Sequence, residues 1–449
     1  TYDTKFFMRM SVIVSDILFF VSAVFVFFNI AYPKQTWNVK ITAIFCMLIN
    51  PLFIIIDHGH FQYNCVALGL ALWSINAMCT HHYYVGSVLF VMSIAFKQMS
   101  LFYALPFFFY CIGIALKEQR ENKKNALFII CMFGVVVVMT FIIIFAPWIS
   151  MSSGLYQARL LQVIHRIFPF ERGLFEDKVA NFWCATNMVV KWRQIFGVTY
   201  TKILALIATL LGCVPCLYLI KKPTPKYFLY TLAISSLSFF MFSYQVHEKN
   251  ILFPLMPISL FILEAPYFIG SLSWIAMFSM LPLLKKDGVL YWYWVLNVLW
   301  LAVTSWVQPL NSMQYTRHYG MNEQSPPPPL HPILGRWRLY EHVSVSEDVG
   351  GDKEKRMASP RRETASSQMA KRENYPTDTL DGHAAPFHYA PLYWCYQPFV
   401  TLFLYFMTEA VQWTTKYPDI GTYLIMIYCG AHFGFAWVLF VFEYLLEYY

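Results

Sequence analysis

The 449-residue sequence is 58% hydrophobic, 19% aromatic and only 13% charged, with a formal net charge of +8. A soluble chain carries about 25% charged residues, and the apolar residues here form long unbroken blocks, so a soluble globular protein is excluded in favour of an all-α, polytopic integral membrane protein. The positive balance fits basic loops beside a membrane and carries no nucleic-acid signature.

In chain order, hydrophobic spans are expected at roughly 10–31, 41–56, 65–79, 84–96, 99–116, 126–147, 200–220, 227–244, 251–263, 267–284, 289–306, 393–412 and 421–446, about thirteen transmembrane helices. Several fall short of the roughly twenty residues a crossing needs, so they extend into their flanks or tilt around a cavity. The chain begins at Thr1 rather than Met and shows no signal peptide, which reads as a truncated start. The ten cysteines lie mostly inside apolar blocks and imply no secreted-type disulfide framework. Cys213 and Cys216 have CxxC spacing, but within an apolar span they read as buried thiols rather than a redox or zinc site.

Three organisational units follow: a membrane core over 1–306, a polar tract over 307–392 and a C-terminal transmembrane hairpin over 393–449. The tract contains Pro326 to Pro329 and balances acidic against basic residues, the composition of a disordered loop. Lys34 and Lys40, Lys117 to Lys124, and Lys221, Lys222 and Lys226 mark three loops on one side, expected to be cytosolic. The tract 307–392 is expected on that side too. The rule is not clean, because Lys285, Lys286 and several bases of the loop 148–201 fall opposite.

Polar groups collect on the side opposite the basic loops. Directly after a span comes IDHGHFQYN, with Asp57, His58, His60, Gln62 and Asn64. Lys97 and Gln98 sit in a short connection between two spans. The stretch HRIFPFERGLFEDKVANFWC, 165–184, holds His165, Arg166, Glu171, Arg172, Glu176, Asp177 and Lys178 among aromatic residues. Pro169 and Gly173 break its first half. In its second half Phe175, Val179, Phe182 and Trp183 share a face, which predicts a short amphipathic helix on the membrane surface. SYQVHEKN adds Gln245, His247, Glu248 and Lys249. Any one of these groups could simply reach the headgroups. Four clusters on one side instead point to a polar cavity, and one rich in His, Lys and Arg suits an anionic, lipid-linked substrate. A transporter would place polar residues along its spans with internal repeats; no repeat is visible, and Asp16 is the main exception to apolar span interiors. The spacing of Asp57, His58 and His60 is not a zinc signature, and no metal site is assigned.

IDHGHFQYN at 56–64, KQM at 97–99, the 165–184 stretch and HEKNILFPLMP at 247–257 resemble, in order and spacing, the endoplasmic-reticulum glucosyltransferases that use dolichyl-phosphate glucose; FMR…SD at 7–16 and, weakly, KYPD at 416–419 fit as well. Within that family GLFEDKVANFWC looks like the sibling that adds the first glucose rather than the second. The resemblance implies a GT-C type multi-pass enzyme of the endoplasmic-reticulum membrane with its site facing the lumen. Its partners would be membrane lipids, dolichyl-phosphate glucose and the dolichyl-pyrophosphate high-mannose oligosaccharide, with no cofactor. It also implies an inverting α-1,3 transfer, with His247 as the catalytic candidate and His247, Lys249, Arg172 and Lys97 as donor-phosphate ligands. Asp57, His58, His60, Gln62, Asn64, Gln98, His165, Arg166, Glu176, Asp177 and Glu248 would line the site. The family's aspartate base belongs to a luminal loop expected upstream of this sequence, with one more helix. The sibling enzyme, an inactive fragment and a membrane transporter are the alternatives.

Overall fold

The computed structural model describes residues 2–59, 62–150, 162, 179–318, 390–414 and 419–448, and the described secondary structure is helical throughout. By contacts the chain divides into two units, 1–311 with 379–449, and 312–378. The described residues of the second are 312–318, the last turns of a long helix.

The first span joins α1 (Tyr2–Ser15) to α2 (Ser22–Ala31) through a π-helical stretch, Asp16–Val21. Such wide turns often mark functional positions in a helix. Against this span packs α4 (Asn64–Cys79), and the packing face can be read residue by residue. Gly69, Trp73 and Asn76 recur at helical spacing. A Cβ on Gly69 would lie 2.4 Å from the Phe19 carbonyl carbon. Trp73 Nε1 donates to Ser22 Oγ at 3.2 Å, and Asn76 Nδ2 to the Ala23 carbonyl at 2.9 Å. Preceding α4 is α3 (Trp37–Leu48), followed by a π-helical segment, Phe53–Gly59, bent from it by 46°. Pro51 removes a backbone donor at that break. Buried Asn50 takes up the loose ends, accepting from the Leu52 N–H at 3.1 Å and donating to Ser273 Oγ at 2.9 Å. The expected single span 41–56 is therefore a broken one.

α4 turns back into α5 (Tyr83–Phe96), which hydroxyls fasten to it: Ser74 Oγ donates to the Gly86 carbonyl at 2.6 Å and Ser93 Oγ to the Ala67 carbonyl at 2.7 Å. A 3₁₀ segment, Gln98–Tyr103, leads into α6 (Ala104–Asn122), and α7 (Ala126–Ser150) follows. The short α8 (Phe182–Thr186) precedes α9 (Trp192–Gly212), which is interrupted at Gly197, a left-handed position with φ 72°. After a 3₁₀ stretch, Val214–Ile220, come α10 (Pro225–Phe242), the 3₁₀ turn Glu248–Ile251, α11 (Leu252–Ser259), α12 (Pro266–Ser279) and α13 (Leu281–Lys286). Next is α14 (Leu290–His318), a helix that continues past the boundary expected near 306. The hairpin α15 (Ala390–Thr414) and α16 (Ile420–Tyr448) packs on α12 and α10, with Trp274 Nε1 donating to Thr401 Oγ1 and Trp437 Nε1 to Ser238 Oγ.

The core sits on α10, α11 and α12, whose residues are buried nearly all round. Cys213 and Cys216 are buried free thiols, as their apolar setting predicts.

The span reading gains detail, and one expectation changes. Among the described residues five helices are long and apolar enough to cross a membrane, or six if the bent pair is one span. Some of the other hydrophobic runs form shorter helices, such as the 16 residues of α4 and 14 of α5. A helix enclosed by other helices need not match the bilayer thickness, so apolarity reports burial as readily as crossing. Nor does the stretch 179–186 lie on a surface. Val179, Ala180, Asn181, Trp183 and Cys184 are buried, α8 packs against α10 and α16, and Trp183 Nε1 donates to the Phe242 carbonyl at 2.7 Å.

The contact at Gly69 generates a test. Gly69→Ala must push α4 off the first span's backbone, which cannot retreat as a side chain could. We expect a loss of about 1–3 kcal/mol of stability, read as a lower thermal midpoint in detergent. A midpoint equal to wild type would show that the interface opens freely.

Candidate functional site

The first backbone N–H groups of any helix lack intrahelical acceptors. At α4 the residue in the capping position, Tyr63, supplies no side-chain cap. Asp57 does so instead from seven residues upstream: its Oδ1 accepts from the Asn64 N–H and its Oδ2 from the Cys65 N–H, both at 2.8 Å. The Asp57 carbonyl also accepts from the Gln62 N–H at 2.7 Å. Asp57 is 2% exposed, so its charge is held by these donors and by the helix N-terminus.

The same loop is tied to the first span at two further points. His58 Nε2 lies 3.4 Å from Asp16 Oδ2, and the Tyr63 hydroxyl lies 2.7 Å from Ser11 Oγ. Asp16, Asp57, His58 and Cys65 line a cavity of about 60 Å³, space on the scale of one or two waters.

On the other side of the loop stands Lys97, at the extended residue that ends α5. Its Nζ donates to Asn64 Oδ1 and, at 3.4 Å, to Gln62 Oε1; Asn64 Nδ2 donates to that same Gln62 oxygen at 2.9 Å. Burial pushes the Lys97 ammonium below its ordinary pKa, the Asp57 charge opposes that shift, and Lys249 adds to it. Next to Lys97, Gln98 Oε1 is buried with no hydrogen-bond partner among the described residues.

Lys249 arrives on the turn Glu248–Ile251, which His247 caps: its Nδ1 accepts from the Lys249 N–H at 3.4 Å and its carbonyl from the Asn250 N–H at 2.9 Å. A neutral ring accepting at Nδ1 carries its proton on Nε2, so the imidazole presents an N–H donor there. The 3₁₀ segment after Lys97 fixes this turn's neighbourhood. Tyr103 donates its hydroxyl to the Phe253 carbonyl, and the Phe102 ring packs on Phe239 and Phe253.

The fold therefore brings Asp57, His58, Gln62, Asn64, Lys97 and Gln98 into one polar cluster, with Lys249 near it and His247 and Glu248 on the Lys249 turn. His60, His165, Arg166, Arg172, Glu176 and Asp177 lie outside the described residues. Asp16 belongs to the cluster through His58; its charge inside a span was the one visible signal. Ser11 gave no signal.

Such a cluster offers cations and N–H donors to an anion. Asp57 has both carboxylate oxygens engaged by backbone donors, which makes it a structural carboxylate rather than a free base.

The ALG6, ALG8 glycosyltransferase family matches residues 1–440, and the chain belongs to that family. It is 44% identical over 292 residues to the dolichyl pyrophosphate Man9GlcNAc2 alpha-1,3-glucosyltransferase of Saccharomyces cerevisiae, covering 64% of this chain and 53% of that protein. Against the probable enzyme of that name from Dictyostelium discoideum it is 39% identical over 309 residues, 67% of this chain and 58% of the relative. With the Gallus gallus enzyme identity is 38% over 299 residues, 66% and 57%. The chain spans little more than half the length of these curated relatives.

Proposed function

We propose that this member of the ALG6, ALG8 family serves in a multi-pass endoplasmic-reticulum transferase. The enzyme moves glucose from dolichyl-phosphate glucose to the high-mannose oligosaccharide on dolichyl pyrophosphate, adding the first α-1,3 glucose. Beyond the relatives' names, one observation supports the reading: the Lys97 ammonium is set on the amide oxygens of Gln62 and Asn64 in an otherwise apolar bundle, within electrostatic range of Lys249 on the turn that His247 caps. Two cations and an imidazole N–H suit a phosphate.

An inverting transfer is one displacement. The acceptor hydroxyl oxygen bonds to the glucose anomeric carbon, the bond from that carbon to the phosphate oxygen breaks, and its electron pair stays on the phosphate. A carboxylate takes the acceptor's proton; Asp57 is unsuited to it for the reason given above. Charge grows on the departing phosphate, so donors aimed at that oxygen favour the transition state over the ground state. His247 Nε2–H fills this role first, with Lys97 and Lys249 holding the phosphate and Arg172 joining them. The cluster faces the lumen, and the basic loops and the tract 307–392 face the cytosol.

In the natural protein His247→Ala should lower kcat about 10²–10³-fold, roughly 3–4 kcal/mol, per correctly inserted molecule. Because His247 also caps a turn, His247→Asn provides the control: it keeps a capping oxygen but not the imidazole. Near-normal turnover in the Asn variant would reduce His247 to a cap.

Lys97→Gln should raise the KM for dolichyl-phosphate glucose while the protein stays folded; unchanged donor kinetics would mean the ammonium only reaches for headgroups. Sidedness can be read in sealed microsomes with a membrane-impermeant maleimide. Lys123→Cys should label without detergent, whereas Val189→Cys, at a residue 89% exposed, should label only after permeabilisation. The reverse pattern would invert the proposed topology.

A further inference from the structure

We propose that Asp57 is a positioning residue for Lys97, setting the direction of its ammonium through the start of α4 and touching neither substrate nor lysine itself. The inference rests on the reading of Lys97 as a donor-phosphate ligand for its consequence in catalysis, but its geometry stands apart from it.

Lys97 makes its hydrogen bonds to Gln62 and Asn64, not to Asp57. Both of those residues are held by Asp57 at their backbones: the Asn64 N–H on the carboxylate, the Gln62 N–H on the carbonyl. Their side chains are then locked to each other by the hydrogen bond that Asn64 Nδ2 donates to Gln62 Oε1. One buried residue therefore fixes the two amide oxygens that grip the ammonium.

The placement of the cap carries the argument further. A helix needing only a cap takes Ser, Thr, Asp or Asn at the residue just before it. Here that residue is Tyr63, whose hydroxyl meets Ser11, and the cap comes from position 57. Capping at this range closes the loop 57–64 on itself and brings Gln62 and Asn64 to face Lys97. A local cap would stabilise α4 equally without directing the loop. Removing the carboxylate leaves the N–H groups of Asn64 and Cys65 without acceptors, and the first turn must shift to find water. The two amide oxygens shift with it.

Two measurements on the natural protein test this. In Asp57→Asn one carboxylate oxygen becomes an NH₂ group that cannot accept from a backbone N–H; Asp57→Ser, a shorter residue that retains one acceptor, is the second variant should Asp57→Asn fail to insert. The first measurement is the acylation rate of the Lys97 amine by a water-soluble reagent, followed by peptide mass spectrometry, with exposed Lys123 as internal standard. Freed from its amide acceptors and from the Asp57 charge, Lys97 should label at least about threefold faster relative to Lys123. An unchanged ratio in an inserted variant overturns the proposal whatever the donor kinetics show.

The second is a double-mutant cycle on donor KM. Asp57→Asn alone should raise KM at least about fivefold and add nothing in a Lys97→Gln background. Equal effects in both backgrounds would make Asp57 a general stabiliser or a direct ligand and overturn the proposal. Faster labelling of Lys97 with KM unmoved by Lys97→Gln would leave the positioning intact and instead remove Lys97 from the donor site.

Discussion

The carboxylate of Asp57, set on two backbone N–H groups at the start of α4, is the interaction on which the polar end of this bundle depends. An anion buried to this degree survives only where donors replace its water. Those donors exist because α4 begins where it does, and five residues on Gly69 lets the same helix lie against the backbone of the first span. The packing contact and the capping contact thus share one helix. A displacement at its middle would reach its first turn, and from there Asp57 and Asn64, which meet at that turn.

The described polar groups of this loop are mostly engaged with one another or with neighbouring elements. Asp57 holds the helix, His58 reaches Asp16, Tyr63 reaches Ser11, and Gln62 and Asn64 hold Lys97. A segment that reads as a row of ligands is mostly scaffolding. Its output is the placement of a lysine contributed by another part of the chain. The 3₁₀ segment after Lys97 performs the matching task for the second cation, bracing α11 through Tyr103 and Phe102 so that the turn carrying Lys249 has a fixed base.

Much of this was legible in the sequence where one-dimensional signals suffice. The hydrophobic runs at 65–79, 84–96, 227–244 and 421–446 become helices at 64–79, 83–96, 225–242 and 420–448. Helix role was less legible, because lipid and neighbouring helix are equally apolar. The apolarity of the central α10 and α12 reports burial in the bundle as well as any crossing, and the aromatic face of 179–184 read as interfacial although Trp183 is 1% exposed. Motif order identified the polar clusters, but not that Asp57 would reach seven residues along the chain or that Asp16 would meet His58. Those contacts depend on how a loop closes between two packed helices, and no periodicity encodes that.

The choice of partners around Lys97 is what the proposed phosphate site would require. A carboxylate paired with the ammonium would hold it firmly, but it would also neutralise it and compete with an incoming anion. Two neutral amide oxygens orient the ammonium without cancelling its charge. The carboxylate needed to build the loop is kept one residue layer back, its oxygens occupied by backbone donors. At that remove it still favours the charged lysine, against both burial and the repulsion of Lys249. The arrangement reconciles two opposed demands on a half-buried cation: enough nearby negative charge to keep its proton, and too little direct contact to cancel the field it presents to a substrate.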